Sequence, residues 1–315
     1  MSARVFIDGA AGTTGLEIRE RLAGRADLTV VRLDEAERKD PRARAAALNA
    51  ADVVILCLPD EAAREAVGLI ENSRTRVIDA SSAHRVADGW VYGFAEMEPG
   101  QREKIAGASR VSNPGCYPTG FLALVRPLVR AGLVPADFPL TVNAISGYSG
   151  GGRAMIEEFE KPDSAHFVKT VARTYGLTLA HKHVPEMQMH AGLSHPPVFA
   201  PSVGRFYRGM IVEVPLQLWA MPTLSTLEIH GILKAAYRNE PLVHVADPAE
   251  AAAMKTIDAE MLAGKNTMTL CVFGNEETKQ ARLIAVLDNL GKGAGGAAVQ
   301  NLNLMLGLPE TAGLL

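Results

Sequence analysis

A short apolar run, Val5-Phe6-Ile7, ends in three glycines spaced three apart: Gly9, Gly12 and Gly15. After them Leu16, Ile18 and Leu22 recur at helical spacing among polar residues. A strand that passes through a glycine turn straight into a helix leaves few architectures open. The helix packs back on the sheet to which the strand belongs, and the next strand then runs parallel to the first. The following residues keep to that pattern: 28–33 read as a strand, 43–49 as a helix, 53–58 as an apolar strand, 61–71 as an alanine-rich helix and 76–79 as a strand. Near-continuous apolar strands alternating with helices predict a parallel sheet covered on both faces. The expectation is an α/β, Rossmann-type nucleotide domain.

The glycines have a chemical reading as well. A backbone that approaches a pyrophosphate closely has no room for a Cβ, and the N–H groups opening the helix, at Thr13 and Thr14, face the anion. The spacing is G-x-x-G-x-x-G rather than G-x-G-x-x-G, so the loop alone is also compatible with an ordinary strand–helix turn. The end of the second strand bears on the choice of dinucleotide. Asp34 there would suit the ribose of NAD, whereas Arg32, Arg38 and Lys39 would suit the 2′-phosphate of NADP. The basic set tilts the expectation to NADP. Ligands of such sheets collect at the carboxyl ends of the strands, which places Ser81, just after the 76–79 strand, among the cofactor candidates.

Asn113-Pro114-Gly115-Cys116-Tyr117-Pro118-Thr119-Gly120 precedes a long apolar helical pattern, and Pro118 suits the first turn of that helix. Cys116 therefore lies just before a helix N-terminus, at the positive end of the dipole, which favours the thiolate. Cys116 reads as a reactive thiol. Cys57 and Cys271 lie in apolar, strand-like runs and read as inert core. Three cysteines without regular spacing suit a reducing compartment rather than a disulfide framework.

The texture changes near residue 140. A strand at 141–145, alternating as an antiparallel strand does, enters Ser146-Gly147-Tyr148-Ser149-Gly150-Gly151-Gly152-Arg153. Ser146, Ser149 and Arg153, with the backbone N–H groups of this stretch, could hold an anion. Next comes His181-Lys182-His183-Val184-Pro185-Glu186, with His190 beyond. In an extended segment His181 and His183 share a face, and a helix opened by Pro185 sets Glu186 and His190 one turn apart. A metal-dependent hydrolase is one reading of two histidines and a glutamate. The spacing matches no metal motif, so no metal is expected. His183 as acid/base beside the thiol, oriented by Glu186, accounts for more. His181, Lys182, Arg205 and Arg208 are further candidates for substrate or phosphate. Strands at 209–216, 270–273 and 280–287, with helices at 225–237 and 248–257, make the second half an α+β domain on an antiparallel or mixed sheet.

A net charge of −3 over 315 residues gives no reason to expect nucleic acid or an anionic membrane as partner. With no apolar run of membrane-spanning length and no signal-like segment, a cytoplasmic protein is the expectation.

Together these residues resemble the N-acetyl-γ-glutamyl-phosphate reductases, relatives of the aspartate-semialdehyde dehydrogenases. The resemblance rests on residues 9–15, 113–119, 146–153 and 181–186, and on Asp288-Asn289-Leu290-Gly291-Lys292-Gly293. The chain looks like the shorter of the family's two forms. It departs where longer members read Ser-Ala-Asp-Phe-Arg and this chain has Ser81-Ser82-Ala83-His84-Arg85. The resemblance implies an NADP-dependent, phosphorylating aldehyde dehydrogenase of arginine biosynthesis, acting on an acyl phosphate, releasing inorganic phosphate and forming a cysteine thioester. It implies Asn289 at the cofactor, a homodimer or homotetramer, and a C-terminal helix that folds back on the nucleotide domain. The domains would then be 1–116 with 292–315 for NADP, and 117–291 for catalysis and oligomerisation. Aspartyl phosphate or a carrier-linked aminoadipyl phosphate are alternative substrates, and a non-catalytic NADP-binding regulator is the alternative from outside enzymology.

Overall fold

The computed structural model describes every residue except Met1, Glu35, Arg38, Lys39, Pro222, Thr223 and Leu224. The chain forms two compact units, one of Met1–Ala95, Gly100–Gly115 and Ala294–Leu315, the other of Glu96–Pro99 and Cys116–Gly293.

The first unit begins with β1 (Ala3–Asp8), α1 (Thr13–Leu22), β2 (Leu28–Val31), α2 (Pro41–Ala50), β3 (Val53–Leu56), α3 (Asp60–Gly68) and β4 (Arg76–Asp79). It continues with β5 (Val91–Tyr92), α4 (Gln101–Gly107) and β6 (Arg110–Ser112). The strands make one six-stranded parallel sheet in the order β2-β1-β3-β4-β6-β5. All four residues of β3 are fully buried, as an apolar strand covered on both faces requires. The order reverses between β1 and β3, and the glycine turn after β1 lies at that switch point. Three elements end before their sequence pattern does. β2 stops at Val31, before the polar Arg32-Leu33-Asp34, β3 stops at Leu56 instead of reaching residue 58, and α3 stops at Gly68 instead of reaching residue 71.

The second unit contains α5 (Cys116–Arg130), β7 (Thr141–Gly147), a 3₁₀ turn (Tyr148–Gly151), α6 (Gly152–Glu160), β8 (Ala172–Thr174), α7 (Val184–Ala191), β9 (Val198–Gly204) and β10 (Met210–Gln217). After them come α8 (Thr226–Ala236), β11 (Val243–Val245), α9 (Pro248–Ala253), β12 (Met268–Asn275) and β13 (Gln280–Leu287). The seven strands form a mixed sheet in the order β11-β12-β13-β10-β7-β9-β8. β7 pairs antiparallel with β10 and parallel with β9, so its alternation reports one buried face and not the direction of its neighbours. α5 lies on the buried face of the sheet: a Cβ on Gly120 would come within 2.9 Å of the Val212 side chain. α9 ends at Ala253, short of the expected 257, because Met254 and Ile257 turn onto the opposite face and pack beside Cys271, Ile284 and Val286.

The chain then returns to the first unit as α10 (Gly296–Leu306), which packs on α1, α4 and β4. Asn301, fully buried, donates to the Gly93 carbonyl at 2.9 Å and to Asn113 Oδ1 at 3.1 Å. Arg76 donates to the carbonyl of Met305. Among the described residues no helix is long and apolar enough to cross a membrane.

Candidate active site

In the second unit α5 starts at Cys116 itself, one residue earlier than the sequence pattern requires, with Pro118 in its first turn. The thiol is half-buried, while Tyr117, Pro118, Thr119 and Gly120 beside it are buried. Tyr117 forms the floor next to it. Its hydroxyl donates to the Ser202 carbonyl at 3.3 Å and accepts from Tyr175 at 3.0 Å. Burial, with the neighbouring Tyr175 and Cys116, pushes the Tyr117 phenol well above its ordinary range, so it stays a neutral donor at working pH.

The two histidines meet this tyrosine edge-on and tilted. The His181 and His183 rings have centroids 4.7 Å apart, and lie 6.3 and 5.8 Å from that of Tyr117. They are not on an extended segment as expected: residues 181–183 form a turn, with the His183 N–H donating to His181 Nδ1 at 3.1 Å and the Val184 N–H to the His181 carbonyl. The physical reason is Pro185, which needs a helix start just behind it, so His183 becomes the N-cap of α7. An Nδ1 that accepts a backbone proton leaves the ring proton of neutral His181 on Nε2. His183 and Glu186 are buried, His181 is half-buried, and Lys182 is exposed. Glu186 and His190 lie one helical turn apart on α7. Among the described residues no group of three or more His, Cys, Asp or Glu side chains could hold a metal ion.

The stretch 146–153 is more ordered than a glycine loop. Ser146 and Gly147 end β7, and Arg153 lies in the first turn of α6. The N–H groups of Gly147, Tyr148 and Ser149 are taken by the carbonyls of Gly209, Phe206 and Tyr207, so these three are not the anion donors that the sequence suggested. Ser146 and Ser149 are buried. Asn289, also buried, donates to Ser149 Oγ at 2.9 Å and accepts from the Gly209 N–H at 2.8 Å, so its side chain braces this corner. The Arg153 side chain is 83% exposed and pairs with Glu157 at 3.4 Å. Arg208 is held more firmly, with Nε donating to Asp288 Oδ2 at 2.6 Å. Arg205 donates to the carbonyls of Phe159, Val168 and Thr170, which fixes it as a brace of its own loop.

In the first unit, Gly9 has a φ of +85°, and a Cβ there would lie 2.3 Å from the Cys57 carbonyl oxygen. A Cβ on Gly15 would lie 2.6 Å from the Gly9 carbonyl oxygen. With Gly12 as the N-cap and Thr13 and Thr14 opening α1, the turn offers helix N–H groups over a floor with no room for side chains. Those features fit a dinucleotide pyrophosphate. Arg32 is exposed just past β2; Arg38 lies outside the described residues. The Asp34 carboxylate accepts from the Glu37 N–H at 2.8 Å, capping a local turn. Ser81 donates its hydroxyl to the fully buried Asp79 at 2.7 Å, and the same carboxylate oxygen meets His84 Nδ1 at 2.6 Å.

Tyr117 and Tyr175 were not singled out by sequence reasoning, although Tyr117 adjoins the cysteine. Nothing in sequence spacing distinguishes Tyr175 from other tyrosines, because β9 and the His181 turn bring it into place.

Comparison with known proteins agrees with both units. The family model for the semialdehyde dehydrogenase NAD binding domain matches residues 4–108, and that for the semialdehyde dehydrogenase dimerisation domain matches residues 116–289. A protein of a Nostoc species described as N-acetyl-gamma-glutamyl-phosphate reductase 2 is 54% identical over 321 residues, covering 99% of each chain. The N-acetyl-gamma-glutamyl-phosphate reductase of Brucella anthropi is 55% identical over 309 residues, covering 98% of this chain and 99% of its own. Among solved structures, aspartate semialdehyde dehydrogenase II of Vibrio cholerae superposes with a TM-score of 0.71 at 15% identity, over 97% of this chain and 98% of that one. The Candida albicans aspartate semialdehyde dehydrogenase with NADP gives 0.67 at 13%, again over 97% and 98%. At such identities the structures speak for the fold alone.

Proposed function

Since the chain belongs to the N-acetyl-gamma-glutamyl-phosphate reductases, within the semialdehyde dehydrogenases, we propose that it reduces N-acetylglutamyl 5-phosphate to N-acetylglutamate 5-semialdehyde with NADPH, in arginine biosynthesis. The observation that carries this reading is Cys116 at the first position of α5, half-buried among buried neighbours. The thiolate attacks the acyl carbon, the C–O bond to phosphate breaks, and a thioester forms. A thioester accepts hydride more readily than an oxygen ester does. When bound at the Gly9 turn, the nicotinamide cofactor supplies that hydride. The thiohemiacetal then collapses as its C–S bond breaks; the sulfur leaves as thiolate and the aldehyde is released.

His183 is the acid/base, with Glu186 in the same first turn of α7 orienting it. The fixed tautomer of His181 favours a second reading, in which its Nε2–H is the donor and His183 acts through it. Arg208 and Arg153 are the candidates for the departing phosphate, with Lys182 behind them. The buried serines Ser146 and Ser149 shape the substrate end, with Asn289 bracing Ser149. NADP over NAD rests on Arg32 and Arg38. The dimerisation-domain match supports a homo-oligomer, and we assign a second copy to the sheet face not covered by α5. That face carries Ile145, Ala200, Ile211 and Ile284 around a groove of about 720 Å³. Three cysteines outside any disulfide are consistent with a cytoplasmic enzyme.

The test is phosphate-dependent reduction of NADP by N-acetylglutamate semialdehyde, run beside aspartate semialdehyde and an NAD control. Turnover of the acetylated substrate alone is expected. Turnover of aspartate semialdehyde instead, or of neither, would transfer the assignment to another acyl phosphate or to a regulator.

A further inference from the structure

Two ionised side chains lie in the interior of the second unit without a part in the reaction proposed above. Glu96 and Lys292 have side chains 0% and 2% exposed, and the ammonium contacts both carboxylate oxygens at 2.8 Å. Burying such a pair costs about as much as the attraction returns, and apolar residues of the same size often do as well for stability. The pair calls for an explanation other than stability, and its surroundings supply one.

Lys292 lies in a turn organised by Asp288. Asp288 Oδ1 accepts from the N–H groups of Leu290 at 2.8 Å and Gly291 at 3.0 Å, and its carbonyl accepts from the Gly293 N–H at 2.9 Å. The turn is wedged in place on two sides. A Cβ on Gly291 would lie 2.3 Å from the Lys265 carbonyl oxygen, and one on Gly293 would lie 2.8 Å from Cys116 Cβ. The residue after Lys292 therefore packs its backbone directly against the nucleophile. Glu96 belongs to Glu96–Pro99, four residues that leave the rest of their neighbourhood in sequence to join this unit. Two positions on, Glu98 pairs with Arg126 of α5 at 2.7 Å, and α5 is the helix that Cys116 opens. One short segment thus holds the helix that bears the sulfur and, through Lys292, the turn that presses on it.

We propose that Glu96–Pro99 is a clamp that sets the position of the Cys116 sulfur, with Glu96 and Lys292 as positioning residues. The proposal rests on Cys116 being the nucleophile of the reaction assigned above. Its readout does not need that substrate, because alkylation reports the sulfur directly. Burial pushes the thiols of Cys57 and Cys271 up to about 12 and about 11, so iodoacetamide near neutral pH reads Cys116.

The experiment compares wild type, E96Q and the apolar pair E96L/K292M, for melting temperature, for the pH profile of Cys116 alkylation, and for kcat and KM. E96Q leaves a buried ammonium with a weakened partner, so its loss of activity could come from misfolding alone. The double variant removes both charges and keeps the volume. It is expected to fold with a melting temperature near that of wild type, to lose about tenfold in kcat with each KM within twofold, and to shift its alkylation profile. A double variant with the kcat and alkylation profile of wild type would overturn the proposal. So would one that cannot fold, because the pair would then serve stability. A wild-type protein inactive on the acetylated substrate yet altered in alkylation by E96L/K292M would overturn the substrate assignment and leave the clamp standing.

Discussion

Cys57, Cys116 and Cys271 share one side chain and differ in everything around it. Cys57 adjoins the carboxyl end of β3 near Asp8 and Asp79, where burial and negative charge raise its thiol, whereas Cys116, four residues past the end of β6, opens a helix. Iodoacetamide near neutral pH should therefore label one site, Cys116, with Cys57 and Cys271 reacting only after unfolding; peptide mapping that found either of them labelled in the folded protein would contradict this. Cys116→Ser should lower phosphate-dependent turnover by at least about 10³-fold, since an alkoxide nucleophile must first be formed from a far weaker acid and makes a poorer leaving group. The histidines divide by the same experiment. His183→Asn is expected to reduce kcat far more than KM. If His181→Asn does so instead, the Nε2–H donor is the acid. For phosphate, Arg208→Met should raise KM for phosphate more than Arg153→Met, because Arg208 is anchored by Asp288 and Arg153 projects into solvent.

At the scale of elements, the glycine turn after β1 carries the sharpest prediction. Ala at Gly9 would meet both a left-handed backbone, worth about 1–2 kcal/mol, and a carbonyl oxygen at 2.3 Å. Gly24 is its control: φ is +78°, and nothing lies within 4 Å of a Cβ there. Gly9→Ala should weaken NADP binding at least tenfold as read by calorimetry, whereas Gly24→Ala should cost about 1 kcal/mol of stability and leave affinity unchanged. Much of this element layer was legible in the chain itself. β4 and β13 follow their apolar patterns to the residue, because a strand buried on at least one face must keep its period. What could not be read is what distant residues do to a local pattern. Residues 181–183 fit an extended segment by spacing, and a turn won because α7 begins at Val184. The N–H groups of residues 147–149 fit an anion by spacing, but the loop before β10 claims them. Glu96 and Lys292 are 196 positions apart, and no periodicity links them.

For the whole molecule, the buried phenols and thiols act together. Burial raises Tyr117 and Tyr237, and carries Tyr175 and Cys57 up to about 12. A folded state that holds these protons more tightly than the unfolded chain has their full contribution below about pH 9 and loses it as pH climbs from there toward 12. The melting temperature should therefore fall steeply between pH 9 and 11, and a flat profile would contradict the burial described here. On the sheet face assigned above to a second copy, Ile211→Glu should convert the oligomer to a smaller species by analytical ultracentrifugation without unfolding it. Finally, the seam at Asn301 bears on the order in which the protein is made. The parallel sheet is made before the second unit, but α10, whose Asn301 closes onto Gly93 and Asn113, is made after it. Residues Cys116–Gly293, nearly all of the second unit, are complete before that. The strands made first must wait, unsealed, until residues 296–306 have been made, so a ribosome stalled before residue 296 should expose a protease-sensitive segment 1–115 beside a protected middle.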